Sequence, residues 1–222
     1  MLAKETLAVH SGTIIDEMHG GILSPLFSAS SHKHLDMTED VYPRHGNLPN
    51  QRAVAEKMCA LESGGEAALV FSSGMAAFAT AMLSHLKAGD HIVLQNGVYS
   101  GALKFVQNHF AKLGITYSVS ESCEVESIIA LVNSNTRMIY IETPTNPLLK
   151  ILNIELLTRF AKSRGCSPLL ITPWRRLSTK TLWNMASIWY CTAPPSFWAA
   201  TAMCQAAWLS AVKSPLLQWP NI

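Results

Sequence analysis

The sequence predicts an α/β fold, a mostly parallel sheet covered by helices on both faces, and three observations carry that expectation. Short apolar runs such as ALVFSS (68–73), HIVLQ (91–95) and RMIYIET (137–143) recur along the chain. Between them lie stretches with helical spacing, and this alternation is the pattern of a parallel sheet with crossover helices. The composition is 49% hydrophobic over 222 residues, enough to bury a core in one or two domains.

Taken in order, residues 1–40 have weak periodicity and read as an extended arm with short turns. Val54, Met58 and Leu61 share one helical face, with Asn50 a possible N-cap and Gly64-Gly65 a stop. ALVFSS then reads as a strand, Gly74 as a turn and MAAFATAMLSHL (75–86) as a helix. HIVLQ is the next strand, and SGALKFVQNHFAKL (100–113) the next helix, closed by Gly114. ITYSVS (115–120), VESIIALV (125–132), RMIYIET and IELLTRFAKS (154–163) continue the alternation.

The charge balance, 17 Lys+Arg against 15 Asp+Glu for a net +2, excludes a nucleic-acid binder held by bulk charge. Five widely spaced cysteines without a CxxC pair indicate neither a disulfide framework nor a zinc site, so no metal is expected. A reducing, cytoplasmic setting fits, and MLAKETLAVHSG has no apolar stretch of signal-peptide length.

The averages hide a break. All 12 glycines lie at or before Gly165, all 8 histidines at or before His109, and all 15 acidic residues at or before Glu155. All six tryptophans follow Pro173. Helix–sheet domains use glycine for tight turns and carboxylates for helix starts and solubility. The chain therefore divides after residue 166: an arm (1–49) and an alternating helix–strand part (50–166) are followed by an aberrant tail (167–222).

Four segments of the first 166 residues could carry chemistry. In SSGMAA (72–77) a strand runs into a helix, so free backbone N–H groups at Ser73, Gly74 and Met75 would suit a phosphate. A tight turn that needs Gly74 for backbone reasons is the competing reading. VYPRHGN (41–47) sets Tyr42 and Arg44 two apart, a phenol and a planar fork of donors, or else a solvated surface pair. VYSGALK (98–104) puts Tyr99 between strand and helix, where a ring could stack on a planar ligand or simply pack in the core. ETPTNP (142–147) carries Glu142 and Asn146 on a proline-bounded turn at the carboxyl end of a strand, where open α/β sheets bind ligands. Its polar groups could instead cap the next helix.

Together and in this order, ETLAVHSG, Y-x-R-x-GN, SSGMAA, the loop tyrosine and ETPTNP resemble the Cys/Met-metabolism family of pyridoxal-phosphate enzymes. That family includes cystathionine γ-synthase, cystathionine γ-lyase, methionine γ-lyase and O-acetylhomoserine sulfhydrylase. The resemblance covers roughly residues 5–166 and implies a fold-type I PLP-dependent transferase-like large domain. It also implies pyridoxal 5'-phosphate as cofactor and a small amino-acid substrate. The partner it implies is a second copy of the chain, in a homodimer or homotetramer, with no nucleic acid and no membrane. The implied roles are Gly74 and Met75 at the cofactor phosphate, Tyr99 on the ring and in proton transfer, and Glu142 and Asn146 beside the cofactor. Tyr42 and Arg44 would reach the neighbouring subunit's phosphate. Where the family has GNPT this chain has GNLPN (46–50).

The same resemblance requires an aspartate in a VDNT-like strand end and a cofactor-bearing lysine in an HS-x-TK segment. Residues 167–222 contain neither, and Lys180 and Lys213 lack such surroundings. The genetic code offers a test, joining the third base of each codon to the first two of the next. Trp183-Asn184 must then give Glu, Met185-Ala186 Gly, Trp189-Tyr190 Val, Tyr190-Cys191 Leu, Phe197-Trp198 Leu, Trp198-Ala199 Gly and Met203-Cys204 Val. With ordinary codon choices between these letters, an HSATK segment emerges with its lysine codon across Pro195-Ser196, and a DNT segment with its aspartate codon across Leu170-Ile171. The expectation is a frameshift near codons 166–168, leaving a truncated, inactive form of an elimination or γ-replacement enzyme. The rival is a non-catalytic dimerisation remnant or a tail-anchored protein, since Met185–Val212 holds no charge; Pro194-Pro195 inside that stretch argues against a spanning helix.

Overall fold

The computed structural model describes residues 3–35, 38–61 and 67–171, together with two strands at 189–192 and 201–205. The arm holds helix α1 (Lys4–His10) and a 3-10 turn (Pro43–His45), followed by α2 (Pro49–Leu61). Then come β1 (Ala67–Phe71), α3 (Gly74–His85), β2 (His91–Leu94), α4 (Ser100–His109), β3 (Thr116–Val119) and α5 (Val125–Ile129). The order closes with β4 (Thr136–Glu142), α6 (Ile154–Ser163), β5 (Ser167–Ile171), β6 (Trp189–Thr192) and β7 (Thr201–Gln205).

The strands form one sheet in the order β1-β7-β6-β5-β4-β2-β3. From β3 to β6 every pairing is parallel, while β7 runs antiparallel to both β6 and β1. Two reversals cancel, so β1 points the same way as β2 and β4. The carboxyl ends of β1, β2 and β4 therefore share one edge of the sheet.

Period-two alternation sorts the core into two layers. Ile92, Leu94, Met138 and Tyr140 face α3 and α4, packing with Phe78, Ala81, Met82 and Val106. Val93, Ile139 and Ile141 face the other way, onto Val125 and Ile128 of α5 and Leu157 and Ala161 of α6. A strand buried on both faces has no polar side to show, hence the continuous apolar runs. Phe78 fixes α3 over the sheet, its ring edge-on to Tyr140 at 5.0 Å and to Phe105 of α4 at 5.9 Å.

Two expectations need correction. The arm is not wholly extended, because ETLAVH lies within the seven-residue α1. That helix is held by α2: Lys57 Nζ donates to the carbonyls of Ala8 and Val9 at 2.9 and 3.2 Å. Gly12, at φ +66, passes so close to α2 that a Cβ there would lie 2.0 Å from the Ala53 carbonyl oxygen. Asn50 does not cap α2; it is inside the helix, and its amide ties both main-chain groups of Phe27. Pro49 opens the helix instead, where its missing N–H costs nothing, and Gln51 Oε1 accepts from the Leu48 N–H. The Gly64-Gly65 stop lies outside the described residues. Gly114 ends the α4 segment in the left-handed conformation, at φ 70, after a short 3-10 turn. Among the described residues no helix is long and apolar enough to cross a membrane, and no cluster of His, Cys, Asp or Glu could hold a metal.

Candidate active site

The site is built where β1, β2 and β4 end. After β1, Ser73 is the N-cap of α3, and its Oγ accepts from the Ala76 N–H at 3.1 Å. The Ala77 N–H reaches the Ser73 carbonyl at 3.2 Å. Of the four N–H groups that a helix start leaves over, those of Gly74 and Met75 keep no acceptor among the described residues. They point outward at the positive end of a twelve-residue helix, a ready seat for an anionic oxygen. Gly74 is the first helical residue and is not at positive φ, so the turn reading of this glycine fails.

After β2 and β4, three residues interlock. Gln95, fully buried, donates its amide N–H to the Glu142 carbonyl at 3.1 Å and accepts the Glu142 N–H at 3.0 Å. This side chain acts as an extra rung between the two strand ends. Glu142, 3% exposed, accepts the backbone N–H of Tyr99 on Oε2 at 2.8 Å. Burial pushes the Glu142 carboxyl above the usual carboxylate range, and the Tyr99 N–H partly offsets that. Tyr99 is the N-cap of α4 without a side-chain cap bond, and its ring is 57% exposed at this edge, not in the core.

The ETPTNP turn is knitted by its threonines. Thr143 Oγ1 accepts from Leu152 N–H and Thr145 Oγ1 from Lys150 N–H. The helix-capping reading of this turn fails, because Asn153 caps α6 through Leu156 N–H at 3.0 Å. Asn146 is thereby left exposed, its amide bonded to nothing among the described residues.

Tyr42 and Arg44 sit apart, in the arm. Arg44 Nη1 donates to Tyr42 Oη, and its guanidinium lies 5.3 Å from the Tyr42 ring centroid. Tyr42 N–H is fixed by Asn47 Oδ1 at 2.9 Å, so GNLPN still shapes the loop. No carboxylate pairs with Arg44 among the described residues, and no hydrogen bond joins this pair to the Ser73–Met75 or Tyr99 groups. Ser73, Gly74, Met75, Tyr99, Glu142 and Asn146 thus follow the carboxyl ends of β1, β2 and β4, while Tyr42 and Arg44 lie in the arm. Lys180 and Lys213, and the codon junctions at 183–186 and 195–198, lie outside the described residues.

Gln95 was missed by sequence reading. The available signal was a polar side chain ending the buried run HIVLQ, which needs a buried partner. The donor set fits pyridoxal phosphate: paired N–H groups for the phosphate, a ring face, and a buried carboxyl at the same edge.

Comparison with known proteins agrees. The pattern of the family described as Cys/Met metabolism PLP-dependent enzyme matches residues 5–172. A cystathionine gamma-lyase of Bacillus subtilis (strain 168) is 37% identical over 167 residues, which are 74% of this chain and 43% of that protein. A cystathionine beta-lyase of Lactococcus lactis subsp. cremoris is 35% identical over 173 residues, 77% of this chain and 45% of that one. The crystal structure of cystathionine gamma-lyase from Lactobacillus plantarum, complexed with L-serine, superposes with a TM-score of 0.83 at 26% identity, covering 93% of this chain and 55% of that one. The chain thus spans about half the length of the relatives it matches. With a pattern covering three quarters of its residues and the fold to go with it, the chain belongs to the Cys/Met-metabolism family of pyridoxal-phosphate-dependent enzymes.

Proposed function

We propose that this chain is the amino-terminal portion of a transsulfuration-type enzyme, acting by elimination or γ-replacement on sulfur-containing or O-acylated amino acids. One observation carries the reading: the Gly74 and Met75 N–H groups, without an acceptor among the described residues, share a sheet edge with a Tyr99 held by buried Glu142. Bound pyridoxal phosphate supplies an electron sink for the bond changes at the amino acid. The chain's own residues bind and orient. Gly74 and Met75 hold phosphate oxygens, with Ser73 keeping the helix start open by capping Ala76 instead. Tyr99 offers its ring face, and its phenol moves a proton as the side-chain group departs. Glu142 fixes the main chain of Tyr99, and the amide of Asn146, unbonded among the described residues, is available to a polar edge of the cofactor.

Tyr42 and Arg44 serve the phosphate of a second subunit, in keeping with the lack of any hydrogen bond from them to the other site residues among the described residues. Exposed Ile15, Met18, Ile22, Leu23 and Leu26 along the same arm support a partner copy, in a dimer or tetramer. Cytoplasmic location and a small amino-acid substrate complete the reading.

The 222-residue chain itself is inactive in this account. Its residues after 166 are read out of frame, so the cofactor-bearing lysine and the aspartate are absent. For the chain as written, the lack of a lysine in family surroundings favours the second reading, a non-catalytic dimerisation remnant or a tail-anchored form. The DNA around codons 160–175 separates the two. An in-frame continuation one base away supports the enzyme. The restored full-length product is expected to release pyruvate or 2-oxobutyrate, or to form a thioether, from cysteine, methionine, cystathionine or O-acetylhomoserine. Turnover of none of these overturns the assignment.

A further inference from the structure

Gly101 is the second residue of α4, and nothing in its backbone calls for glycine. It is helical and not at positive φ, unlike seven other glycines of the chain. Glycine inside a helix is less favourable than alanine. The reason for it lies in the neighbouring side chain. A Cβ built on Gly101 would sit 2.4 Å from Tyr99 Cε1, 2.9 Å from Cζ and 3.1 Å from Oη. Carbon atoms in contact prefer about 3.5–4.0 Å, so ring and Cβ cannot coexist. All three of these nearest atoms belong to the Tyr99 side chain.

Tyr99 is an unusual N-cap. Its phenol cannot turn back to accept the N–H groups of the helix start, and no side-chain cap bond forms. Instead the ring folds forward over the bare Cα of Gly101, while its own N–H is pinned by Glu142 at 2.8 Å. One anchor holds the main chain and the other makes room for the ring.

We propose that Gly101 is a positioning residue, whose missing Cβ is the seat that lays the Tyr99 ring along the start of α4. Its bearing on catalysis rests on the role proposed for Tyr99; the geometry stands without it. With the ring 57% exposed, a methyl group at 101 pushes it out toward solvent rather than disturbing the core. Gly101→Ala therefore separates position from stability: the helix is favoured while the ring is displaced.

The test uses the 222-residue chain labelled with 3-fluorotyrosine, which gives five fluorine signals, one for each tyrosine. Tyr99→Phe identifies the Tyr99 signal by its loss. In the unmodified chain that signal is expected away from free fluorotyrosine; in Gly101→Ala it moves to the free position with the other four unchanged. Glu142→Gln, which keeps a carbonyl acceptor for the Tyr99 N–H, is expected to leave the signal in place. The proposal is overturned if Tyr99 already resonates at the free position in the unmodified chain. It is equally overturned if Gly101→Ala leaves the signal where it was, or if all five signals move together. None of these readings depends on turnover, so they fail or succeed separately from the assigned reaction.

Discussion

Ile22 and Leu23 in the arm are 91% and 82% exposed, whereas Ile139 and Ile141 in β4 are fully buried. The same kinds of side chain meet opposite fates in the two regions. Through residues 3–61 not one described side chain is buried, and α2 leans on α1, β1 and β7. From Ala77 to Leu169 two apolar layers are buried, one on each face of the sheet. The difference teaches where each region's stability comes from. The sheet layer satisfies its own pattern, while the arm carries apolar residues that a single copy leaves in water.

The largest effect should separate the two regions outright. Phe78→Ala removes the ring that locks α3 to Tyr140 and Phe105, and is expected to cost about 3–5 kcal/mol in urea unfolding. Leu23→Ala in the arm is expected to change the same measurement by less than about 0.5 kcal/mol. Equal costs would dissolve the comparison.

A smaller effect belongs to the start of α3. Ser73→Ala deletes the cap on the Ala76 N–H and should lower stability by about 1 kcal/mol. Ser73→Asp restores a cap acceptor and should recover that stability, yet it places a negative charge where the phosphate is proposed to sit. Inorganic phosphate should then protect the unmodified chain against unfolding and leave Ser73→Asp unprotected.

The smallest effect is a pH slope confined to the sheet layer. His91 is buried between the Thr136 hydroxyl at 2.8 Å, the Ser118 hydroxyl at 3.0 Å and the Asn133 amide at 3.3 Å. Burial pushes its pKa down, so below the ordinary histidine value of about 6.5 the unfolded chain binds more protons than the folded one. The contribution is fully present above that value and is lost as pH falls through the lowered folded pKa. His91→Gln should flatten the acid limb of the urea midpoint below about pH 6.5. A residual slope is expected from His85, whose pKa burial also lowers.

The sheet layer was legible because burial on both faces writes itself into sequence. HIVLQ and RMIYIET were predicted as strands, and IELLTRFAKS coincides with α6. The arm was not, since α1 is a seven-residue helix held by Lys57, 47 positions beyond its last residue. No local period announces such a contact. Asn50 looked like a cap because its type favours that place, but a distant loop at Phe27 claimed its amide first. At the site, the motif residues were legible one by one. Gln95, Glu142, Tyr99 and Gly101 as a connected brace were not, because what joins them is strand register and the space left by a missing Cβ.

The central claim is that the first 166 residues prepare a cofactor site whose lysine lies in the displaced frame. Pyridoxal phosphate addition followed by borohydride reduction and peptide mapping tests it most directly, on the 222-residue chain and on the frame-restored full-length product side by side. The account predicts one stoichiometric lysine adduct in the restored HSATK-like segment, and only scattered substoichiometric adducts in the 222-residue chain. A single stoichiometric adduct at Lys180 or Lys213 of the 222-residue chain, or no lysine adduct in the restored protein, would contradict it.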